Sequence, residues 1–414
     1  MISRRFLAAT GACALASALA PAFVLALAQD SPAQIAPDKT PPFKKTAAFN
    51  KTAIMESQQK LAAKLIVGLA SDKPGATIAL SPMSAFLALA ILAPGADDNL
   101  QASLRGVLQL PDRKVKKGFF HAALDSLAQS GGPSPLLLAN RLVLDTNMQP
   151  SKPMMEKLKG LGVEVSEEDL ASPETLAKLN AWVNDKTKGL IPAIIDAPPG
   201  PGGLVALNAL YFKDRWKAAF DPAKTKEQPF TGLDGQASPV AMMSQEGSFR
   251  FRTAANLVGI DLDFVDPRFG LVIVTTTDKP SAAPDLAKAT EGWLTGQSFD
   301  FKPGAIAMPR LKIETSNDLL APLKALGLKD NAKSLQAFGA GQPRISAIGQ
   351  RATLKLDEEG AEAAAATAVV ATRSIDSDQV RMVVDKPYMF ALRDKSTGFI
   401  IMAGYVGRPG TAKA

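Results

Sequence analysis

Among 414 residues there is one cysteine, Cys13, and one histidine, His121. That scarcity excludes most common catalytic sets before any motif is sought. Cys13 falls within an N-terminal leader, so the expected mature chain has no thiol, hence no disulfide, no thiolate nucleophile and no cysteine metal site. The string TGAC also lacks the apolar residue expected three positions before a lipidated cysteine. His121 lies on a helix predicted near 115–129 and reads as an ordinary helix residue; with no clustered carboxylate motif beside it, neither a metal nor a cofactor is expected. No G-x-S-x-G elbow, Walker loop, G-x-G-x-x-G or H-E-x-x-H occurs. Ser57-Gln-Gln-Lys60 matches the S-x-x-K of penicillin-recognising enzymes, but the companions S-D-N and K-T-G are missing, the nearest strings being KTKG at 186 and KSTG at 395. No nucleophile comes with a base and an orienter, so an enzyme is not expected.

Runs of like charge are lacking too. The net charge is +7 and charged residues make up 21%, yet basic residues alternate with acids and aromatics are few, at 6%, which reads as a solvated surface and excludes a nucleic-acid groove. The N-terminus, MISRRFLAATGACALASALAPAFVLALAQD, is a leader, a basic start and an uncharged apolar run ending in ALA, with cleavage expected after Ala28. Arg4 and Arg5, with Phe6 and Leu7 behind them, resemble the twin-arginine export motif of bacteria without its usual spacer residue; general secretion is the other reading. Either route places the protein in the periplasm or outside the cell, and only an uncleaved leader makes it a membrane protein. Residues 29–47, rich in Pro, Lys and Asp, read as a flexible linker.

From residue 48 to 410 the patterning gives one α+β domain, without internal repeat or second linker. Ile54, Leu61, Leu65 and Leu69 recur at helical spacing. ATIALSP is a short strand, and Ser81 or Ser84 caps the apolar helix after it. Further helices are predicted near 98–108, 152–160 and 283–294, and an amphipathic one in ETLAKLNAWVNDKTKGLI. LLLANRLVLD is a strand; LVALNALYFKDRW, too apolar for an edge and too short for a spanning helix, suits the middle of a large sheet. VAMMS, SFRF, LVGIDLDF and GLVIVTTT read as four more strands. The segment LDEEGAEAAAATAVVATRSIDSDQV, 356–380, stands between strands although its alanine tract has the composition of a helix.

Four strings in this order, SPMSAFLALAILAPGA, ALNALYFKDRWKAAFDPAKTKEQPF, MPRLKIETSNDLLAPLKALGL, and LDEEGAEAAAATAVV leading to DKPYMFALRDKSTGFIIMAGYVGRP, make the chain from about 46 to 409 resemble the serpins. The resemblance implies an α+β fold of three β-sheets and eight or nine helices, with 356–380 as an exposed reactive-centre loop. It implies a suicide inhibitor of serine proteases, monomeric, trapping its target as a covalent acyl complex when the cut loop inserts into the central sheet. A non-inhibitory serpin acting as a binding or chaperone-like protein is the alternative.

On insertion, alternate residues of the loop enter the core. Ala361, Ala363, Ala365, Thr367 and Val369 form a face with no charge, while Glu362 falls on the other. Glu358, Glu359 and Gly360 make the hinge, Gly360 supplying backbone freedom for the turn. Arg373-Ser374 is the preferred reactive bond, for a trypsin-like target, with Ser374-Ile375 as the alternative. By the same resemblance Ser81, Ser84, Asn208 and Gln350 form the polar cluster that controls sheet opening, and Trp216 marks the point of first insertion. Gln350 stands where the family usually has histidine; an amide bonds but does not titrate.

Overall fold

The computed structural model describes residues 51–110, 136–159, 163–340, 342–361 and 379–410. These belong to one compact unit, Lys45–Ala414. Helix α1 (Lys51–Leu69) buries Ile54, Leu61 and Leu65 as the spacing predicts. Strand β1 (Ile78–Leu80) runs into α2 (Pro82–Ala90), where Ser81 is the N-cap, accepting from Ser84 N–H at 3.0 Å, and Pro82 occupies the first turn without losing a helical bond. Helix α3 (Asp98–Val107) is capped by Asp97. The remaining described helices are α4 (Lys152–Lys159), α5 (Pro173–Lys186), α6 (Ala283–Ala289) and α7 (Leu320–Ala325). The helix expected near 115–129, and His121 on it, lies outside the described residues. Helix α6 stops short of the expected 294 because Thr290 turns its hydroxyl back onto Leu286 O and Gly292 takes a positive φ.

The central sheet has the order β3 (Glu164–Glu168), β2 (Leu136–Asp145), β4 (Gly203–Phe212), β12 (Arg344–Leu356), β13 (Gly360–Ala361), β5 (Asp214–Arg215), with β11 (Leu311–Asp318) paired on β12. Strand β4 is buried along its whole length, and apolar but for Asn208 and the Tyr211 hydroxyl, because its two faces serve two separate cores. Val205, Leu207 and Ala209 pack with Leu179 and Val183 of α5, whereas Leu204, Ala206, Leu210 and Phe212 enter the main core. A period-two pattern cannot appear in a strand that is buried on both sides. In β11, by contrast, Leu311, Ile313 and Thr315 are buried while Lys312, Glu314 and Ser316 are exposed.

The remaining strands are β6 (Lys226–Thr231), β7 (Ala237–Ala254), β8 (Leu257–Asp263), β9 (Phe269–Thr276), β10 (Asp300–Pro309), β14 (Val380–Val383), β15 (Tyr388–Asp394) and β16 (Ile400–Val406). They follow the order β1-β16-β15-β9-β8-β7-β10-β14, with β6 on β7. The three expected sheets thus connect, among the described residues, into two hydrogen-bonded networks. The cause is β7, an 18-residue strand that holds β6 along its first part, β8 along its last and β10 between. VAMMS and SFRF, read separately in the sequence, are two stretches of this one strand. The 356–380 segment leaves from β13 in one network and returns as β14 at the edge of the other.

Candidate functional site

The central sheet closes through a direct parallel pairing of β4 with β12, in which Asn208 faces Gln350. Both side chains lie on the face toward α2, and the cluster expected from the sequence is assembled there. Gln350 Oε1 accepts from Ser81 N–H at 2.7 Å, and its Nε2 donates to Ser81 O at 2.8 Å. Ser84 Oγ bonds Ser81 Oγ at 2.8 Å and donates to Asn208 Oδ1. The amide replacing the usual histidine is therefore fully engaged with one backbone position, while the serine pair ties α2 to β4. Sequence reasoning missed half of this row. Asn140 of β2 stands opposite Asn208 and accepts from its Nδ2 at 2.5 Å, and Asn317 of β11 stands opposite Gln350, its Nδ2 donating to Ala79 O at 3.0 Å. Four amide side chains thus run across β2, β4, β12 and β11 in register. The signal in the sequence was only one amide at a core position of each strand, which no local pattern distinguishes from a solvent-facing residue.

At the end of the same sheet the hinge is already seated. Beyond Leu356 the chain makes a tight turn, Asp357 N–H donating to Gly360 O at 3.0 Å, and comes back as β13. Ala361 pairs with Leu356 on one side and Asp214 on the other, and Gly360 with Arg215, so two residues of the loop lie antiparallel between β12 and β5. Ala361 is fully buried in the main core, as the alternation of the loop requires. The expected first-insertion residue is what holds this turn. Trp216 N–H donates to Glu359 O at 2.8 Å, its indole Nε1 to Asp357 O at 2.8 Å, and Phe220 N–H to Glu358 O at 2.7 Å. Its ring stacks on Phe264 at 4.6 Å between centroids.

The two hinge glutamates differ. Glu358 is 4% exposed and takes Arg310 in a forked pair, Nε to its two oxygens at 2.9 and 3.0 Å and the terminal nitrogen at 2.8 Å, with the Thr225 hydroxyl donating as well. Burial pushes its carboxyl up, but the Arg310 and Thr225 bonds outweigh that and hold it below the ordinary glutamate value. Glu359 makes no ion pair among the described residues, and its backbone N–H is held by Asp357 Oδ1 at 3.1 Å. Arg310 and Thr225 carried no signal in the sequence, being 48 and 133 residues from their partner. Asp214, beside the hinge, is shifted the other way: burial raises it and the nearby Asp266 charge adds to that, against hydrogen bonds from two backbone amides.

Ala363, Ala365, Thr367, Arg373, Ser374 and Ile375 lie outside the described residues. Ser57 is a structural residue: it is fully buried and its hydroxyl donates to Leu108 O at 2.5 Å, while Lys60 faces solvent. The S-x-x-K match therefore has no accessible nucleophile. No group of metal-binding side chains occurs among the described residues.

Two outcomes are expected from this geometry. A Cβ on Gly360, whose φ is +149°, would stand 2.3 Å from Asp214 O and 2.5 Å from Arg215 Cα, both backbone. Gly360→Ala should therefore unseat β13, read as faster amide exchange at Trp216 and Phe220, with the rest of the central sheet unaffected. Because the folded Glu358 carboxyl is held below its free value, its contribution is complete above 4.5 and is lost as the pH falls through its lowered value. Protection at the same two amides should fall on acidification, and Glu358→Gln should flatten that dependence at a cost of about 1–3 kcal/mol. Asp214 contributes with the opposite sign and is unchanged in the variant, so a fall that persists undiminished in Glu358→Gln would refute the assignment.

The family described as "Serpin (serine protease inhibitor)" matches residues 56–409. The chain is 29% identical to leukocyte elastase inhibitor of Bos taurus over 369 residues, covering 84% of this chain and 98% of that protein. It is 29% identical to antithrombin-III of Mus musculus, over 80% of this chain and 76% of that one, and 30% identical to serine protease inhibitor 42Dd of Drosophila melanogaster, over 80% and 91%. Among solved structures, the native thermophilic serpin tengpin superposes with a TM-score of 0.77 at 22% identity, covering 89% of this chain and 96% of that one. Human thyroxine-binding globulin with its thyroxine gives 0.76 at 21%, over 87% and 100%. These likenesses show the fold. With the family match spanning nearly all of the described residues, the closed sheet and the seated hinge belong to a serpin: the chain is a member of that family, one of protease inhibitors and not of enzymes.

Proposed function

We propose that this chain is a suicide inhibitor of a serine protease, working by cleavage of the 362–378 loop and insertion of its N-terminal arm between β4 and β12. The protease serine attacks the carbonyl carbon of Arg373, an acyl ester forms, and the new amine leaves on Ser374. The arm from 362 then follows β13 into the sheet with the protease attached, and the acyl bond is carried away from the geometry that deacylates it. The observation that carries this reading is the position of β13, at the head of that path and antiparallel to the strand it would follow.

The driving force follows from the pairing. Insertion would exchange one parallel ladder, β4 with β12, for two antiparallel ones. Continuing the register of Ala361 along both neighbours places Thr367 opposite Gln350 on β12 and opposite Asn208 on β4. The two continuations agree. A hydroxyl thus arrives between two amides that faced each other, and the polar row is kept satisfied after opening. The cluster of Ser81, Ser84, Asn208 and Gln350 acts as the latch of the closed state. Residues 1–28 act as an export leader and 29–47 as a linker to the serpin domain, which fits a protease met in the periplasm or outside the cell.

Incubation with trypsin and with an elastase-type protease should give a complex that survives denaturing electrophoresis, with a small released fragment beginning at Ser374. A start at Ile375 moves the bait by one residue. Complete cleavage without complex by both proteases would favour the binding or chaperone-like alternative. Thr367→Glu should leave the cut intact but strand a charge beside the amide row, at a cost of several kcal/mol, and turn the inhibitor into a substrate. Undiminished complex formation by that variant would contradict the register.

A further inference from the structure

The segment that holds the hinge has a second side. Residues 215–217 are stitched to the end of β8, Lys217 N–H donating to Asp263 O at 2.9 Å and Val265 N–H to Arg215 O at 2.8 Å. Gln245 of β7 fixes the next turn through Ala218 O and Ala219 O, at 3.2 and 2.6 Å. Behind this segment, between β7, β8 and β10, lies a cavity of about 270 Å³.

Its walls are aromatic, from Trp216, Phe220, Phe249 and Phe301. Phe301 is 68% exposed, an unusual place for a phenylalanine, and Arg250 lies over its ring at 5.6 Å. The charged lining is unevenly paired. Arg250 donates to Asp261 at 2.9 Å and to Asp263 at 2.7 and 3.2 Å, but those two carboxylates also bond Arg393 and Lys395, at 2.5 and 2.7 Å. Lys217, on the cavity wall, is exposed and without an ion pair among the described residues. Two cations, Lys217 and Arg250, and two carboxylates line the cavity, but both carboxylates are already engaged by Arg250 and, from outside the cavity, by Arg393 and Lys395, which leaves Lys217 uncompensated. A flat apolar ligand fits the rings, and a single negative charge fits Lys217.

We propose that this cavity binds a small aromatic monoanion, a carboxylate or sulfonate on one or two rings, with the rings against Phe301 and Phe249 and the anion at Lys217, and that its occupation holds the hinge in its seat. Trp216 and Phe220 are at once cavity wall and hinge clamp, so a ligand that binds the clamped arrangement better shifts the population toward it. The binding claim is independent of the proposed inhibition; only the consequence for insertion rests on it.

The probe is 8-anilinonaphthalene-1-sulfonate, titrated into the full chain. One saturable site is expected, with energy transfer from tryptophan and slower amide exchange at Trp216 and Phe220 in the bound state. Phe301→Ala, at an exposed position, and Lys217→Glu should each weaken binding about tenfold without changing the melting temperature. Non-saturable binding, an affinity unchanged in both variants, or exchange unaffected by the probe would overturn the proposal. All three readouts are taken without a protease, so failure to inhibit leaves them intact.

Discussion

The parallel ladder between β4 and β12 is the constraint on which the other features depend. It closes the central sheet, and it is the pairing that has to break if a further strand is to enter. The two faces of β4 differ in what they meet. On one face, β4 contributes Leu204, Ala206, Leu210 and Phe212 to the main core, with Asn208 in the middle of that row. On the other, Val205, Leu207 and Ala209 meet α5 through a small separate cluster. One face of β4 therefore carries both the amide contacts and a share of the main core, while the other meets only a modest apolar patch.

The hinge adds a short antiparallel pairing at the end of that closed sheet. Leu356 and Asp214 receive Ala361 between them, and the carbonyls of Asp357, Glu358 and Glu359 are each bonded by the 216–220 segment. Arg310 neutralises Glu358 from β10's end, so the turn is anchored to both hydrogen-bonded networks. The same 216–220 segment rests on the charged ends of β7 and β8. A short stretch of chain thus connects the entry point of the sheet to a cavity on its far side.

Much of this was legible in the sequence and some was not, for physical reasons. LLLANRLVLD is β2 to the residue, and the apolar run at 203–212 is the central strand it suggested, because a strand buried on both faces has no other composition available. The E-E-G hinge could be read as far as Ala361, which is buried between β12 and β5, and the alternation beyond it falls outside the described residues. β7 read as two strands because Glu246 and Gly247 interrupt its apolar pattern, whereas in the fold both residues pair with β10 in a ladder unbroken from Met242 to Phe251, while the other edge passes from β6 to β8. Asn140 and Asn317 were invisible because they matter only through register, which sequence does not contain. Arg310 and Thr225 meet Glu358 only in three dimensions. Lys217 and Phe301 carry a pattern only once the cavity places them together.

The account makes the uncut chain a kinetically held state whose more stable form needs one more strand in the central sheet. The direct test is the thermal unfolding of the full chain before and after a single cut within 362–378, with both fragments retained. The account predicts that the cut form melts well above the intact one, since the parallel β4–β12 ladder has been replaced by two antiparallel ones. A melting temperature unchanged or lowered by the cut would contradict it, because the arm would then have stayed outside the sheet.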